Sequence, residues 1–571
     1  MGDNIQNNNT NKRHKFLNGF LCLLAICFLN VIFGDGLRAQ SGNQKKQQLR
    51  PSAKHEKVKP TIPTANRYQK GKVFLEYADR LSMDELVSKD YQVLNGNVQF
   101  RKGDMYMFCD SAHFYDKQNS LYAFGNVRME QGDTLFVYAD ELYYNGDIDL
   151  AQLRYNVKME NRNVTLYTDS LDYDMIANIG YYFEGGRIVD DKNNLSSVYG
   201  QYSPDTKDTE FLFDVELVNE KYTMLTDTLY YNTGTHIADI VGYTTIVSDS
   251  NTIYTNKGWY NTETEKATLY NRSLIVTKDA QTLTGDTLFY DRNIGFGEAF
   301  GNMVMTDSVK SSTLVGDYGY HNEKTDESFA TKRALAMEYS KKDTLYLHGD
   351  TIRTYLTSDS SRIMCAYPMV RFYRVDLQGV CDSLTFVTAD SMLFMHRHPV
   401  LWNENRQVTG NIIQVHFNDS TVDKAFLPQY GFLAEAVEGD FYNQLSGKEM
   451  TAYFENGEIR QLDVNGNVQT IFLPMENDST YNKLVSAEGS FLKILLKDQK
   501  MEKLNLWPDV TGKVTPLFLA KRSQYYLKGF KWNDAIRPKD QYDIFRIPEE
   551  MRQMLDSPEA VAPVARIRGE E

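Results

Sequence analysis

One short phrase recurs along this 571-residue chain at a nearly constant step, and this repeat limits the possible folds more than any other feature. The phrase joins an aspartate, a small or polar residue, an apolar residue, any residue, and an aromatic residue. It is written DSAHF at Asp110, DELYY at Asp140, DSLDY at Asp169, DTLYY at Asp227, DTLFY at Asp286 and DSLTF at Asp382. The first two steps are 30 and 29 residues, and the next is 58, which is twice 29. Such spacing is typical of an array of structural repeats.

A second marker has the same period. GNV occurs at Gly96 and Gly125, 29 residues apart, and YNV follows with Asn156, 30 residues beyond Asn126. Later relatives of this marker are GNM at Gly301, GNI at Gly410 and GNV at Gly466. Because two independent markers share one step, the repeat is not a chance match.

The repeat unit predicts β-strands. In NVRME, apolar and charged residues alternate, as in a strand with one buried face. Asn145-Gly146 is a strong hairpin signal, and 38 Tyr and 30 Phe favour a pleated, half-buried surface. Sustained helical spacing is absent from the repeats, and only residues around Pro548–Met554 are expected to form a helix. The sequence therefore predicts an all-β fold of antiparallel strands.

The apolar positions within one repeat change parity. Leu142 and Tyr144 share one face of a strand, whereas Leu135 and Val137 have the opposite parity. A β-bulge near Ala139 would bring all four side chains to the same side.

The unit GNVRMEQGDTLFVYADELYY resembles the OstA-like, or LptA-like, family of periplasmic proteins that carry lipopolysaccharide to the outer membrane. The resemblance is strongest over Gly96–Gly301 and fainter to about Leu506. The segment YYLKGFKWNDAIRPKDQYDIF, Tyr525–Phe545, is similar to the C-terminal segment of long family members. The single-domain carrier of the family is much shorter than this chain. The resemblance implies an elongated antiparallel β-jellyroll, here in two stacked segments built from repeats of about 30 residues.

The resemblance also implies a function. Family members hold acyl chains between two β-sheets, so we expect binding and transport of lipopolysaccharide or lipid A. The implied partners are that lipid and other jellyroll transport proteins that stack by their edge strands, with self-association as a further expectation. The repeat positions expected to line the lipid groove are Ala112, Phe114, Leu142, Tyr144, Leu171, Tyr173, Leu229, Tyr231, Leu288 and Tyr290. The alternative for these positions is a filled core, in a β-array that docks an outer-membrane assembly without holding lipid.

The chain divides into five predicted regions. A basic stretch before the uncharged run Phe16–Gly34 is typical of an export signal or an N-terminal anchor, so we expect a periplasmic protein, with the inner or outer membrane as its possible neighbour. The expected regions are 1–39 signal or anchor, 40–66 flexible linker, 67–331 OstA-like repeats, 332–507 a second, looser repeat region, and 508–571 the C-terminal tail.

Charge and cysteine content exclude several classes of protein. The formal net charge of −14 is the wrong sign for a nucleic-acid-binding surface. Two of the five cysteines lie in the signal, and the other three, Cys109, Cys365 and Cys381, do not form a disulfide framework. Cys365 and Cys381 could pair, but buried thiols in strands are the simpler interpretation.

No enzyme, cofactor or metal is predicted. An aspartate that recurs in every repeat favours a structural role, because catalysis needs a few unique carboxylates in one cleft. A glycan-active parallel β-helix is the least favoured alternative. In HRHP, His396 and His398 would share one strand face, but a third metal ligand at a recognisable spacing is missing, so a surface pair is expected.

Overall fold

The computed structural model describes residues 71–83, 90–190, 192–339, 343–357, 361–418, 421–455, 458–476, 480–497 and 500–556. The predicted signal and linker, residues 1–66, lie outside these ranges. The described chain consists of 44 strands, several short 3₁₀ turns and one α-helix in the tail. Every strand pairing reported below is antiparallel, so the predicted all-β antiparallel fold is confirmed, and the parallel β-helix alternative is excluded for the described residues.

The chain forms two compact units. The described part of the N-terminal unit comprises residues 71–278 and 284–293, and that of the C-terminal unit comprises 279–283 and 294–556. The strands of the N-terminal unit are β1 (Phe74–Tyr77), β2 (Arg80–Ser82), β3 (Gln92–Lys102), β4 (Met105–Tyr115), β5 (Ser120–Gln131), β6 (Leu135–Asn145), β7 (Leu150–Asn161), β8 (Val164–Asp174), β9 (Ile179–Tyr182), β10 (Gly186–Asp190), β11 (Asn193–Ser197), β12 (Tyr199–Tyr202), β13 (Asp208–Val218), β14 (Tyr222–Asn232), β15 (Ile237–Ile240), β16 (Thr244–Ser248), β17 (Asn251–Thr255), β18 (Gly258–Asn261), β19 (Lys266–Tyr270), β20 (Leu274–Thr277) and β22 (Thr287–Asp291).

The C-terminal unit holds the remaining strands, including the first three residues of β21. These strands are β21 (Gln281–Thr284), β23 (Phe296–Asp307), β24 (Ser312–Asn322), β25 (Glu327–Thr331), β26 (Leu335–Glu338), β27 (Leu345–His348), β28 (Thr351–Leu356), β29 (Arg362–Tyr367), β30 (Val370–Arg374), β31 (Leu377–Cys381), β32 (Ser383–Val387), β33 (Met392–His396), β34 (Val400–Asn403), β35 (Arg406–Gly410), β36 (Ile412–Asn418), β37 (Thr421–Leu427), β38 (Gly431–Glu438), β39 (Phe441–Gly447), β40 (Glu449–Glu455), β41 (Glu458–Phe472), β42 (Lys483–Lys497), β43 (Lys500–Trp507) and β44 (Thr511–Pro516).

The tail, residues 517–556, follows β44. It contains 3₁₀ turns at Leu517–Leu519, Arg522–Gln524, Asp534–Ile536 and Asp543–Phe545 and ends in helix α1 (Glu549–Leu555). The helix predicted around Pro548–Met554 is therefore confirmed. A further 3₁₀ turn spans Asp116–Gln118 in the N-terminal unit.

The Gly-Asn marker is the bend that divides each long strand into two halves. At Gly125 and Asn126 both φ angles are positive, +73° and +44°, and the register with β6 shifts there by one residue. The same left-handed pair and register shift occur at Gly96-Asn97, Tyr155-Asn156, Phe213-Asp214, Gly301-Asn302 and Gly466-Asn467. Two residues face one across this β-bulge. In β6 the single residue Asp140 faces the two bulged residues Gly125 and Asn126 of β5, and the burial parity changes there, so that Leu135, Val137, Leu142 and Tyr144 are all buried.

In the N-terminal unit the two halves belong to two hydrogen-bonded ladders. Ladder A contains the halves of β3, β5 and β7 that follow the bend and the halves of β4, β6 and β8 that precede it, and it continues through β10, β11, β13, β14, β16, β17 and β20. Ladder B contains the other halves and continues through β9, β12, β13, β14, β15, β18, β19 and β22. The ladders pack face to face, since Phe100 of ladder A contacts Phe114 of ladder B, with ring centroids 5.3 Å apart.

The C-terminal unit repeats this plan. Ladder C runs through β24, β26, β27, β30, β31, β34, β35, β38, β39, β41, β42 and β44. Ladder D runs through β24, β25, β28, β29, β32, β33, β36, β37, β40, β41, β42 and β43. Both ladders continue past residue 331, and the domain boundary expected there stays a prediction.

Candidate functional site

The ten residues predicted to line a lipid groove lie in two neighbouring rows on ladder B. One row passes through directly paired residues Ala112, Ala123, Leu142, Leu153 and Leu171. The other runs unbroken from Phe114 to Tyr290 and alternates large and small side chains, in the order Phe114, Leu121, Tyr144, Ala151, Tyr173, Gly180, Tyr202, Thr209, Tyr231, Ala238, Tyr260, Ala267, Tyr290. The repeats are thus in register, one aromatic residue per hairpin. All ten predicted residues are buried, none more than 6% exposed.

Three tyrosine hydroxyls of this row, those of Tyr202, Tyr231 and Tyr290, reach polar partners at the hairpin tips of the opposite ladder. The Tyr231 hydroxyl donates to the Asp190 carboxylate at 2.6 Å and accepts from the Asn193 side-chain amide at 3.1 Å. The Tyr290 hydroxyl accepts a hydrogen bond from the Asn251 side-chain amide at 2.6 Å. The pKa of Tyr231 lies well above its usual value, because the Tyr231 ring is buried and the Asp190 carboxylate is adjacent.

These contacts continue along the whole N-terminal unit as a seam between the tips of ladders A and B. The other members are an ion pair between Lys102 and Asp149 at 2.5 Å, a hydrogen bond from the Tyr202 hydroxyl to Asn161, and an ion pair between Lys221 and Glu265. The seam therefore consists of Lys102–Asp149, Asn161–Tyr202, Asp190–Tyr231, Lys221–Glu265 and Asn251–Tyr290. It joins the ladders on the side opposite the bends, so the interior of this unit is closed on both sides.

The C-terminal unit contains an apolar trough between ladders C and D. Its volume is about 440 Å³, within the range of small-molecule sites. Ladder C contributes one cross-strand row to its wall, Leu401, Val408, Leu433 and Leu445. Ladder D contributes the facing row Ala425, Ala452, Leu462, Ile494 and Leu504.

The trough is open towards the last strands of the unit. Met501, Leu504 and Phe472 line it and are 49%, 46% and 37% exposed. Its polar rim lies at the tips of ladder C, where the Arg406 guanidinium and the Asn443 amide both bind the Glu435 carboxylate, at 2.9 and 3.0 Å. An apolar wall with a few polar groups at its rim suits an amphipathic ligand better than a wholly polar one.

Sequence reasoning did not identify the trough residues. Tyrosine is absent from the described residues that line the trough, and leucine, isoleucine and alanine occupy the inward positions instead. This change of composition was visible after Asp382, where the aromatic column of the repeat stops. Where the wide rings are missing, smaller side chains leave the space between the ladders unfilled.

The recurring aspartates lie outside, at the bends. The Asp110 carboxylate accepts a hydrogen bond from the Asn126 side chain at 2.8 Å, and Asp140 accepts one from Asn156 at 2.6 Å. The two sequence markers therefore contact each other and stabilise the bulge, which is the structural role expected for the aspartates.

The histidine motif differs from its prediction in geometry. Strand β33 ends at His396, and Arg397 and His398 form a left-handed pair with φ of +60° and +53°. The two histidines therefore do not share a strand face, because the chain bends between them. No group of three or more histidine, cysteine or acidic side chains that could hold a metal occurs in the described ranges.

The three cysteines of the described chain lie on strands as free thiols, which excludes the pairing of Cys365 with Cys381. Cys109 and Cys381 are buried, as the simpler interpretation expects, whereas Cys365 is half-buried. Burial raises the pKa of Cys109 to about 12. Within the ranges that the structure covers, no helix is both long and apolar enough to cross a membrane.

Comparison with known proteins finds a family model that matches part of the chain. The family model described as OstA-like protein matches residues 70–227. No curated protein sequence matches the chain. Among solved structures the chain is similar to LptH, the LptA homologous periplasmic component of the conserved lipopolysaccharide transport device from Pseudomonas aeruginosa, with 13% identity over 25% of this chain and 80% of that chain. The TM-score is 0.15, which does not establish a common architecture. The segment 70–227 is thus OstA-like, as its repeats indicate.

Proposed function

We propose that this protein is exported to the periplasm and transports lipopolysaccharide, and that it holds acyl chains of lipid A in the trough between ladders C and D. The trough is the observation that carries the proposal, because it offers open apolar volume within a chain whose first repeats match an OstA-like family. Each methylene that moves from water into such a site contributes about 0.8 kcal/mol. A chain of about a dozen methylenes would gain roughly 10 kcal/mol before the cost of ordering it.

The trough suits acyl chains better than the ten residues predicted from the sequence. Those ten residues are buried among filled rows, and acyl chains could reach them from the side only if the seam opened. The groove assignment of these residues stays a prediction, and their burial favours the filled-core alternative for the N-terminal unit.

The last strands support the expected docking of other jellyroll proteins by edge pairing. In the described residues β43 and β44 each pair only with β42, which leaves one edge of each strand unpaired. Val514 on β44 is 61% exposed and pairs with Val485, which lines the trough, so this unpaired strand edge lies beside the trough. An added strand at this edge would lengthen the apolar surface, as a relay of lipid requires.

Filling the trough tests this function. Ala425→Phe and Ala452→Phe add bulky rings to neighbouring inward positions and should weaken binding of fluorescent lipopolysaccharide to the full chain at least tenfold. Thr451→Phe, on the opposite face of β40, is the matched control and should bind as the unmodified protein does. Saturable binding that survives both filled variants would place the lipid elsewhere, and a lack of binding by the unmodified protein would refute the function.

A further inference from the structure

The outer face of ladder C is covered by the tail, which forms a third layer. Residues of β34, β35, β38 and β39 alternate between the trough and this outer face, and β31 adds Gln378 to the outer face. The inward row is Leu401, Val408, Leu433 and Leu445, and the outward row is Gln378, Trp402, Gln407, Ala434 and Gln444. Consequently all five residues of β31 are buried, as are all four of β34.

Two glutamines of the outward row bind the tail backbone in the same way. The Gln444 side-chain amide donates to the carbonyl of Tyr525 at 2.7 Å, and its oxygen accepts from the N–H of Leu527 at 2.8 Å. The Gln407 amide donates to the carbonyl of Lys531 at 2.8 Å, and its oxygen accepts from the N–H of Asn533 at 2.7 Å. Each glutamine thus binds one carbonyl and the N–H two residues later, and the two contacts are six residues apart.

Gln378 and Arg371 extend this set of contacts. The guanidinium of Arg537 in the tail donates to the Gln378 oxygen at 2.9 Å. The fully buried Arg371 donates to the carbonyl of Ile536 at 2.8 Å, and burial lowers its pKa to about 10, so it remains charged at neutral pH. Gln378 and Gln407 are 29 residues apart, one repeat step, so these two glutamines occupy equivalent repeat positions.

Apolar side chains of the tail occupy the spaces between these polar contacts. Ile536 packs in one cluster with Val380, Val400 and Trp402. The ring of Phe530 lies 4.9 Å from that of Tyr442. The strand face therefore presents backbone-binding amides beside apolar and aromatic pockets, which is the arrangement expected of a peptide-binding surface.

We propose that the outer face of ladder C is a docking site for an irregular peptide segment, and that the tail from Tyr525 to Phe545 is its ligand within the same chain. Backbone recognition by Gln407 and Gln444 holds the tail, and the pockets for Ile536 and Phe530 select its sequence. The tail is a docked ligand rather than an inseparable part of the sheet, because its polar contacts to the face are made through side chains and not through strand pairing. This inference does not depend on lipid binding.

A peptide added in trans tests the proposal on the full chain. Ile536→Asp should release the tail and leave the glutamines in place. A fluorescein-labelled peptide with the sequence Tyr525–Phe545 should then bind this variant at least tenfold more tightly than it binds the unmodified protein, in which the attached tail competes. N-methylation of the peptide at Leu527 and Asn533 removes the two donated hydrogen bonds and should weaken binding roughly thirtyfold, since two bonds of about 1 kcal/mol each amount to about 2 kcal/mol.

The face is tested by adding Gln407→Leu and Gln444→Leu to the Ile536→Asp variant, which should abolish peptide binding. Gln469→Leu in the same background is the control, because Gln469 bonds the exposed Glu488 and not the tail. If Ile536→Asp lowers the β-sheet signal in circular dichroism, Phe530→Ala, whose side chain is only half-buried, replaces it. Equal binding of the N-methylated peptide, or no peptide binding to a folded variant with a released tail, would overturn the proposal.

Discussion

At the scale of the residue, single tyrosine hydroxyl groups form contacts that close the N-terminal unit. Tyr231 and Tyr230 are neighbours on β14, but Tyr231 is buried with its hydroxyl on Asp190, whereas Tyr230 is 41% exposed. Without the hydroxyl of Tyr231, the buried carboxylate loses a short hydrogen bond, and bonds to charged groups contribute about 1.5–3 kcal/mol. We therefore expect Tyr231→Phe to lower the free energy of unfolding by about 2 kcal/mol, measured by denaturant titration.

Tyr230→Phe provides the comparison, since it removes the same atom from a solvent-facing ring and should change stability by less than about 0.5 kcal/mol. Equal effects of the two substitutions would show that the seam contributes nothing specific to stability.

His348 should make the docking of the tail sensitive to acid. It is buried, its ring lies 4.7 Å from that of Phe545, and its Nδ1 lies 2.7 Å from the carbonyl of Ala334. Burial, and then the nearby Arg371 and Arg333 charges, lower its pKa, although the Ala334 carbonyl and Asp350 oppose this. The unfolded chain therefore binds a proton below about pH 6.5 that the folded chain does not bind. The stabilising effect of neutral His348 is present above that pH and is lost as pH falls through the lowered, folded-state pKa.

The expected result is a loss of stability between pH 7 and pH 5 that depends on this residue. His348→Gln keeps a hydrogen-bond donor but cannot titrate, so its denaturation midpoint should vary less with pH than that of the unmodified protein. If the denaturation midpoints of the two proteins vary with pH in parallel, the acid sensitivity comes from the other histidines.

At the scale of the element, the Gly-Asn bend is the part of the repeat that restricts residue type most strongly. Gly125 has a φ of +73°, and a Cβ there would lie 2.7 Å from the Asp110 carboxylate oxygen. Gly103, in a hairpin turn, has a φ of +60° but open space around its Cα. Both positions impose left-handed strain on any other residue, at about 1–2 kcal/mol, whereas only Gly125 adds a clash.

We expect Gly125→Ala to cost at least about 1 kcal/mol more than Gly103→Ala in thermal or denaturant unfolding, because the clash displaces the Asp110–Asn126 contact. Equal costs would mean that the backbone angle alone selects glycine at the marker.

At the scale of the whole molecule, the proposed function predicts which part of the chain contacts an acyl chain. A lipid A analogue with a photoreactive group at the end of one acyl chain should crosslink to peptides within residues 401–506. Peptides that carry the buried rows from Ala112 to Tyr290 should remain unlabelled, since the seam and the filled rows exclude the chain. Labelling mainly in the N-terminal unit would instead support the lipid groove predicted from the sequence, and it would mean that the seam opens to admit the lipid.

The sequence by itself determined the repeat, the antiparallel all-β fold, the structural role of the aspartates and the resemblance of the repeats to the OstA-like family. These properties are local or periodic, so they can be read from spacing and side-chain alternation. Only the tertiary structure decided that the Tyr231 row is closed by a seam, that open volume lies between Ala452 and Leu433, and that Gln407 binds the tail. Such features depend on which residues from distant repeats face one another across two ladders. The two-residue period of a strand shows which face a side chain is on, but it does not show the size of the side chain that lies opposite.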